Sequence, residues 1–311
     1  MPASFFKQLL RKELIVIIMD YTIFDAHCDT LSLAADSGAE VRKNNFHTDL
    51  ERMGQYKGYT QVFACFIEPC FRDGAFERFL KMSDIFAGEC DGHILSLEGG
   101  EAITSLAALR TMARLGVRIA ALTWNYSNHL AGGVLEPGGG LTEFGCEVVK
   151  EMNRINMLVD YSHLNDRSFF EIAAVSAMPV VATHSNSRAV CAHPRNLTDE
   201  QFKLIIKTGG CAGINFYPGF LNDRGKAGID DIVKHIEHFM SLGGGKNIGI
   251  GADFDGVDAL PEGICGCEDT YKLFDRLLSL NYTDEQTEDI AHRNFERIFC
   301  SRTYNKTAGR E

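Results

Sequence analysis

The triplet His27-Cys28-Asp29 closes an apolar run that begins at Tyr21. On a β-strand, residues i and i+2 leave from one face, so His27 and Asp29 point together and Cys28 faces away. Imidazole nitrogen and carboxylate oxygen are both ligands for zinc-like divalent cations. Other apolar runs end alike: one in Glu98 before Gly99-Gly100, one in His163, one in His184, and one in Asp253-Phe254-Asp255-Gly256. Each has an ordinary explanation when taken singly. Glu98 caps the following helix, His163 is a satisfied buried histidine, His184 belongs to a turn, and Asp253 or Asp255 forms an Asp-Gly turn. Jointly, these readings require five coincidences at equivalent strand ends, which favours a metal site.

His27, Asp29, Glu98, His163 and His184 supply three imidazoles and two carboxylates. A single catalytic zinc needs about three protein ligands and an open position. The surplus suits two cations if one carboxylate bridges, and Glu98 lies between the ligand groups in chain order. Two such metals hold a hydroxide and polarise a carbonyl together, so metal-assisted hydrolysis is the natural reaction class. Asp253 is then free to act as general base or to bind a substrate amine.

The elements that must position these residues are legible as short apolar runs separated by helical patterns. Strands are expected near 21–27, 59–67, 93–98, 117–124, 156–162, 179–184, 211–217 and 247–253. Helices are expected near 76–88, 102–114, 142–155, 166–176, 198–208, 228–242, 268–280 and 283–298. Runs such as Pro179-Val-Val-Ala182 are apolar throughout rather than alternating, as parallel strands covered on both faces require. Eight strands with intervening helices point to an α/β fold, a (β/α)8 TIM barrel, whose chemistry sits at the carboxyl ends of the strands. A doubly wound sheet is the alternative, since strand number alone does not close a barrel.

The 311-residue chain, 45% hydrophobic and 23% charged, has the make-up of an ordinary globular protein. A net charge of −11 without a basic tract argues against a nucleic-acid partner. Ten cysteines without a secretory signal read as reduced thiols in a cytoplasmic protein, and Cys265-Gly-Cys267 is the one pair that invites a metal or redox proposal. Residues 1–20 are expected to form an N-terminal extension, disordered or not native, with residues 21–300 a single catalytic barrel and 301–311 a tail. The run Leu14–Met19 is too short for a membrane span or a signal core, so no membrane partner is expected.

Over residues 22–299 the chain resembles the renal (membrane) dipeptidase family of zinc metallopeptidases, peptidase family M19, in a non-secreted, bacterial-type form. The landmarks are Asp25-Ala-His-Cys-Asp29, Leu97-Glu-Gly-Gly100, Leu141-Thr-Glu-Phe-Gly145, Val159-Asp-Tyr-Ser-His163, Thr183-His-Ser185, Arg195-Asn196, Asn215-Phe-Tyr217 and Gly251–Gly256. The resemblance implies a (β/α)8 barrel and two zinc ions, with other divalent cations left open. It assigns His27 and Asp29 to one metal, His163 and His184 to the other, and Glu98 to both. It gives Arg195 the substrate carboxylate and sets Asp253 near the substrate amine and the attacking water. Tyr217 and Trp124 are expected to line the substrate site.

One departure concerns the residue after Leu122-Thr123, where animal members carry a histidine thought to steady the oxyanion and this chain has Trp124. Indole donates one hydrogen bond but does not titrate, so His129 from the loop or the metals alone would take over that role. The expected function is hydrolysis of dipeptides, including those with a C-terminal D-residue, by a metal-bridging hydroxide. Two alternatives stay open: a dinuclear amidohydrolase acting on N-acyl amino acids, lactones or esters, and a metal-binding homologue without catalysis. The expected partner is a small peptide, and a homodimer also stays open.

Overall fold

Strands apolar on both faces must be buried on both, and in the computed structural model, which describes residues 19–300, they are. The strands β1 (Met19–Cys28), β2 (Tyr56–Phe66), β3 (Ile94–Glu98), β4 (Val117–Ala121), β5 (Leu158–Asp160), β6 (Val181–Ala182), β7 (Cys211–Ile214) and β8 (Ile248–Ile250) follow one another around a closed barrel. Every neighbouring pair is parallel, and Asp25 opposite Ile250 closes β1 on β8. The barrel, not the doubly wound sheet, is the fold.

Among the described residues twelve α-helices accompany them: α1 (Thr30–Ser37), α2 (Leu50–Met53), α3 (Ala75–Glu89), α4 (Leu106–Arg114), α5 (Glu143–Arg154), α6 (Asp166–Val175), α7 (Asp199–Thr208), α8 (Pro218–Leu221), α9 (Ile229–Ser241), α10 (Tyr271–Ser279), α11 (Asp284–Glu288) and α12 (Asn294–Cys300). Side-chain caps set several starts, as when the Ser105 hydroxyl accepts from the Ala108 N–H. That cap delays α4 to Leu106 rather than the expected 102, because a short 3-10 turn occupies Gly100–Ala102. The helix expected at 283–298 is divided by a π-turn over Asp289–Arg293. The short helices α1, α2 and α8 lie in loops that sequence periodicity does not mark.

Outward strand residues join the main core beneath the helices, whereas Phe24, Ala26, Val62, Ile119, Leu158, Val181 and Cys211 form a second cluster with Phe295 and Ile298 of α12. That second cluster fills the barrel interior and is closed from below by α12. Further along the same strands the inward positions become polar: Ser96, Glu98, Asp160, Thr183, Asn215 and Asp253 are all buried. The expected extension and tail, residues 1–20 and 301–311, lie outside the described residues apart from Met19 and Asp20, which open β1. Among the described residues no helix is long and apolar enough to cross a membrane.

Candidate metal centre

Simple alternation from Phe24 and Ala26 would turn Cys28, not His27, into the barrel. A bulge prevents this: Asp25 pairs with Gln61 and Cys28 with Phe63, so three steps on β1 match two on β2. His27 therefore joins the interior, and Cys28 packs in the outer core, facing away as its place in the triplet implies. Asp25 pins the bulge by accepting from the backbone N–H of His27 at 3.2 Å and of Ala252 at 3.0 Å. Burial pushes its carboxyl up to about 7.

The five candidate ligands converge. Glu98 turns one oxygen, Oε2, to His27 Nε2 at 3.1 Å. Its other oxygen, Oε1, lies 2.6 Å from His163 Nε2 and 3.8 Å from His184 Nε2. Asp29 Oδ2 lies 3.5 Å from His27 Nε2, and Asp253 Oδ1 lies 3.9 Å from the same atom. His27, Asp29 and Glu98 thus form one set with ligand atoms within 4.8 Å of one another, and Glu98, His163 and His184 form another.

The outer partners decide which nitrogen each histidine turns to the cluster. His163 Nδ1 donates to Asn125 Oδ1 at 2.8 Å. His184 Nδ1 donates to Thr183 Oγ1 at 2.7 Å, and Thr183 in turn donates to Asp160. Both Nε2 atoms therefore present lone pairs, and they face each other at 2.8 Å. Two opposed lone pairs repel unless a cation lies between them. Asp29 Oδ1 is also buried without a hydrogen-bond donor. These features, and a donor set of imidazoles and carboxylates, fit divalent metal.

His184 reaches the interior because β7 and β8 give way to it. A side chain at Gly213 or Gly251 would meet the Thr183 carbonyl oxygen at 1.9 Å or 1.8 Å. The end of β6 presses inward against both glycines. His163 and Asp253 adopt left-handed backbone, with φ of 66° and 63°, a conformation that costs free energy in non-glycine residues and recurs at functional sites.

The electrostatics are those of charges kept from water. Burial and the Glu98 charge raise the Asp29 carboxyl to about 7. Burial also raises Asp253, with His27 opposing it. Burial would raise Glu98 as well, but His27 and His163 outweigh that and hold it well below the usual carboxylate range. Burial and the nearby Arg195 lower His163 to about 4, which favours the neutral imidazole that a metal requires.

Arg195 is buried beside this cluster, with Nη2 donating to His163 Nε2 at 3.1 Å and to the His184 carbonyl at 3.3 Å. Its Nε has no acceptor, and its guanidinium lies 5.4 Å from the Phe220 ring centre. Asn215 donates to Asp253 Oδ2 at 2.8 Å and leaves Oδ1 toward the cluster. Arg195, Asp253, Tyr217 and Trp124 all line a cavity of about 500 Å³ that opens over Glu98 and His163.

Two options that the sequence left open are not met by the geometry. His129 does not reach the cavity: its Nε2 bonds the Ile103 carbonyl at 2.9 Å and its ring stacks on Phe144. From the same loop, Trp124 and Asn125 line the cavity instead, and Asn125 bonds His163. Cys265 is exposed while Cys267 is buried, so they present no joint thiol pair. Sequence reasoning also missed Asn125, Asp160, Thr183 and Asn215 as supports, since a lone amide, hydroxyl or carboxylate that bonds only protein groups has no spacing signature. Asp255 proves to be a brace, accepting from Thr30 Oγ1 and the His47 N–H, each at 2.6 Å.

The sequence profile of the membrane dipeptidase family, peptidase family M19, matches residues 82–309. A protein of Schizosaccharomyces pombe named as an uncharacterized dipeptidase is 33% identical over 302 aligned residues, covering 81% of this chain and 71% of its own. The crystal structure of the metallopeptidase dipeptidase AC, of family M19, superposes with a TM-score of 0.81 at 28% identity, covering 90% of this chain and 99% of that one. A metallopeptidase from Rhodobacter sphaeroides, liganded with a phosphinate mimic of the dipeptide L-Ala-D-Ala, gives 0.79 at 27% identity, with the same two coverages of 90% and 99%. With its profile match spanning most of the barrel, the chain belongs to the membrane dipeptidase family, peptidase family M19.

Proposed function

We propose that the protein is a dizinc dipeptidase that accepts dipeptides with either an L- or a D-residue at the carboxyl end. The observation that carries this reading is the split Glu98 carboxylate, with one oxygen toward His27 and the other toward the opposed His163 and His184 nitrogens. His27 and Asp29 would hold one metal, His163 and His184 the second, and Glu98 both. When bound, two such cations supply Lewis acidity that activates a water and draws charge from the scissile carbonyl.

The chain's own residues do the rest. Arg195 grips the C-terminal carboxylate, for which its unpaired Nε is an unused donor. That anchor at a fixed distance from Glu98 measures out a single peptide bond and so favours dipeptides over longer chains. Asp253, steadied by Asn215, takes up the proton lost by the water and returns it to the leaving amine, or holds the substrate ammonium. Tyr217, packed edge-on against Phe220 at 4.9 Å, closes the side next to Arg195. The relative bound to an L-Ala-D-Ala mimic supports tolerance of a D-residue.

The test is Arg195→Ala in metal-loaded enzyme, assayed on L-Ala-L-Ala, L-Ala-D-Ala and their C-terminal amides. The KM for the free dipeptides is expected to rise by about 100-fold, as loss of a charged two-point contact implies, and far less for the amides. Equal increases would remove Arg195 from its role. Failure of the metal-loaded wild type on every dipeptide would sink the dipeptidase reading itself.

A further inference from the structure

The cavity has two unlike walls. Loops after β6, β7 and β8 contribute Arg195, Tyr217 and Asp253, whereas the other wall holds Leu33 of α1, Phe66 at the end of β2, Phe71 in the segment after it and Trp124 in the loop after β4. In an eight-stranded barrel β2–β4 stand across the axis from β6–β8. The Trp124 ring centre lies 5.3 Å from that of Phe66. Phe71 is 38% exposed at the mouth, yet it is held in place. The Arg78 guanidinium sits 4.0 Å over its ring, while both Arg78 Nη atoms donate to Asp36 at 2.7 and 2.9 Å. An aromatic fixed in this way is organised for contact before any ligand arrives.

The dipeptidase reading, on which this step rests, gives the substrate a direction. With the C-terminal carboxylate on Arg195, the scissile carbonyl lies over Glu98, and that carbonyl belongs to the N-terminal residue. Its Cα must therefore lie beyond the cluster from Arg195. The ammonium there has Asp253 as its partner, and the side chain is left with the opposite wall. We infer that Leu33, Phe66, Phe71 and Trp124 form the subsite for the side chain of the substrate's N-terminal residue and select large apolar or aromatic groups. Glu68 and Asp258 also line the cavity, but both are exposed to solvent, where a charge contributes little to selection.

The test compares Phe-Ala, Gly-Ala and Lys-Ala, and the reversed pair Ala-Phe and Ala-Gly, in wild type, Phe71→Ala and Trp124→Ala. Wild type is expected to favour Phe-Ala over Gly-Ala by about 10- to 100-fold in kcat/KM, the range a hydrophobic pocket supplies. Each variant is expected to lower that ratio about 10-fold, with the Ala-Phe to Ala-Gly ratio moving less than about 3-fold. A second readout is independent of turnover, because Trp124 is the only tryptophan in the chain. A phosphinate analogue of Phe-Ala is expected to change its fluorescence more than the analogue of Gly-Ala. Equal turnover of Phe-Ala and Gly-Ala, a preference for Lys-Ala, or equal fluorescence changes would overturn the subsite and leave the dipeptidase reading intact. No turnover of any dipeptide overturns both.

Discussion

Inside the lower half of the barrel, Phe24, Val62, Ile119, Leu158 and Val181 close on Phe295 of α12 without a charged group among them. Two residues further along β5 and β6 the inward positions hold Asp160 and Thr183, and Glu98 at the end of β3 and Asp253 after β8 are buried with them. The first region stabilises the fold by removing apolar area from water. The second costs folding free energy, since Glu98, Asp29 and Asp253 crowd together and burial already pushes two of them up. A protein retains such a cluster for what it binds. The two halves share strands and shielding but serve opposite ends of the energy balance.

Glu98→Ala should separate them most sharply. Loss of the residue that touches both ligand groups is expected to cut kcat/KM by about 1000-fold or more, equivalent to several kcal/mol of lost charge stabilisation. Metal content by elemental analysis should fall with it. Chelation should lower the melting temperature of wild type but leave that of the variant unmoved, because only the state that binds metal is stabilised by it. A variant that keeps both metals would contradict the bridging role.

Phe295→Ala probes the other half. Its ring stacks 5.5 Å from that of Phe24 and is 1% exposed. The cavity should cost about 3–5 kcal/mol by urea unfolding. Metal bound per folded molecule should not change; if it falls in proportion, the lower cluster also shapes the metal site.

A smaller effect contrasts two kinds of buried histidine. His163 and His184 each spend one nitrogen on a support and turn the other to the cluster. His235 spends both: Nδ1 accepts from the Ser187 N–H and Nε2 donates to the Leu221 carbonyl, each at 3.0 Å. Burial lowers its pKa to about 4, below the value of the unfolded chain. The unfolded state therefore takes up the proton first, and stability from this group, complete above about pH 6.5, is lost as pH falls toward 4. The loss amounts to at most roughly 3 kcal/mol. The stability difference between wild type and His235→Asn should shrink across that window and stay constant above it. A pH-independent difference would remove His235 from the acid response.

Much of this was visible in the chain. Apolar runs of strand length alternating with amphipathic segments led to the barrel, and the residues ending those runs led to His27, Asp29, Glu98, His163 and His184. Hydrophobic periodicity marks long, regular elements and overlooks short helices such as α1 and α8. Supports such as Asn125, Thr183 and Asn215 escaped notice because common polar residues gain meaning only from what lies against them. His129 entered as one of two stand-ins for the absent histidine, beside the metals alone, through proximity in sequence, which its bond to the Ile103 carbonyl overrides.

The chain by itself determined the type of fold and the identity of the converging groups, because both are written in local pattern and side-chain chemistry. Only the tertiary structure decided that they meet. The β1 bulge turned His27 inward, the glycines of β7 and β8 admitted the end of β6, and outer hydrogen bonds faced the lone pairs of His163 and His184 toward each other. Each of these depends on contacts between residues far apart in sequence, where no spacing rule reaches.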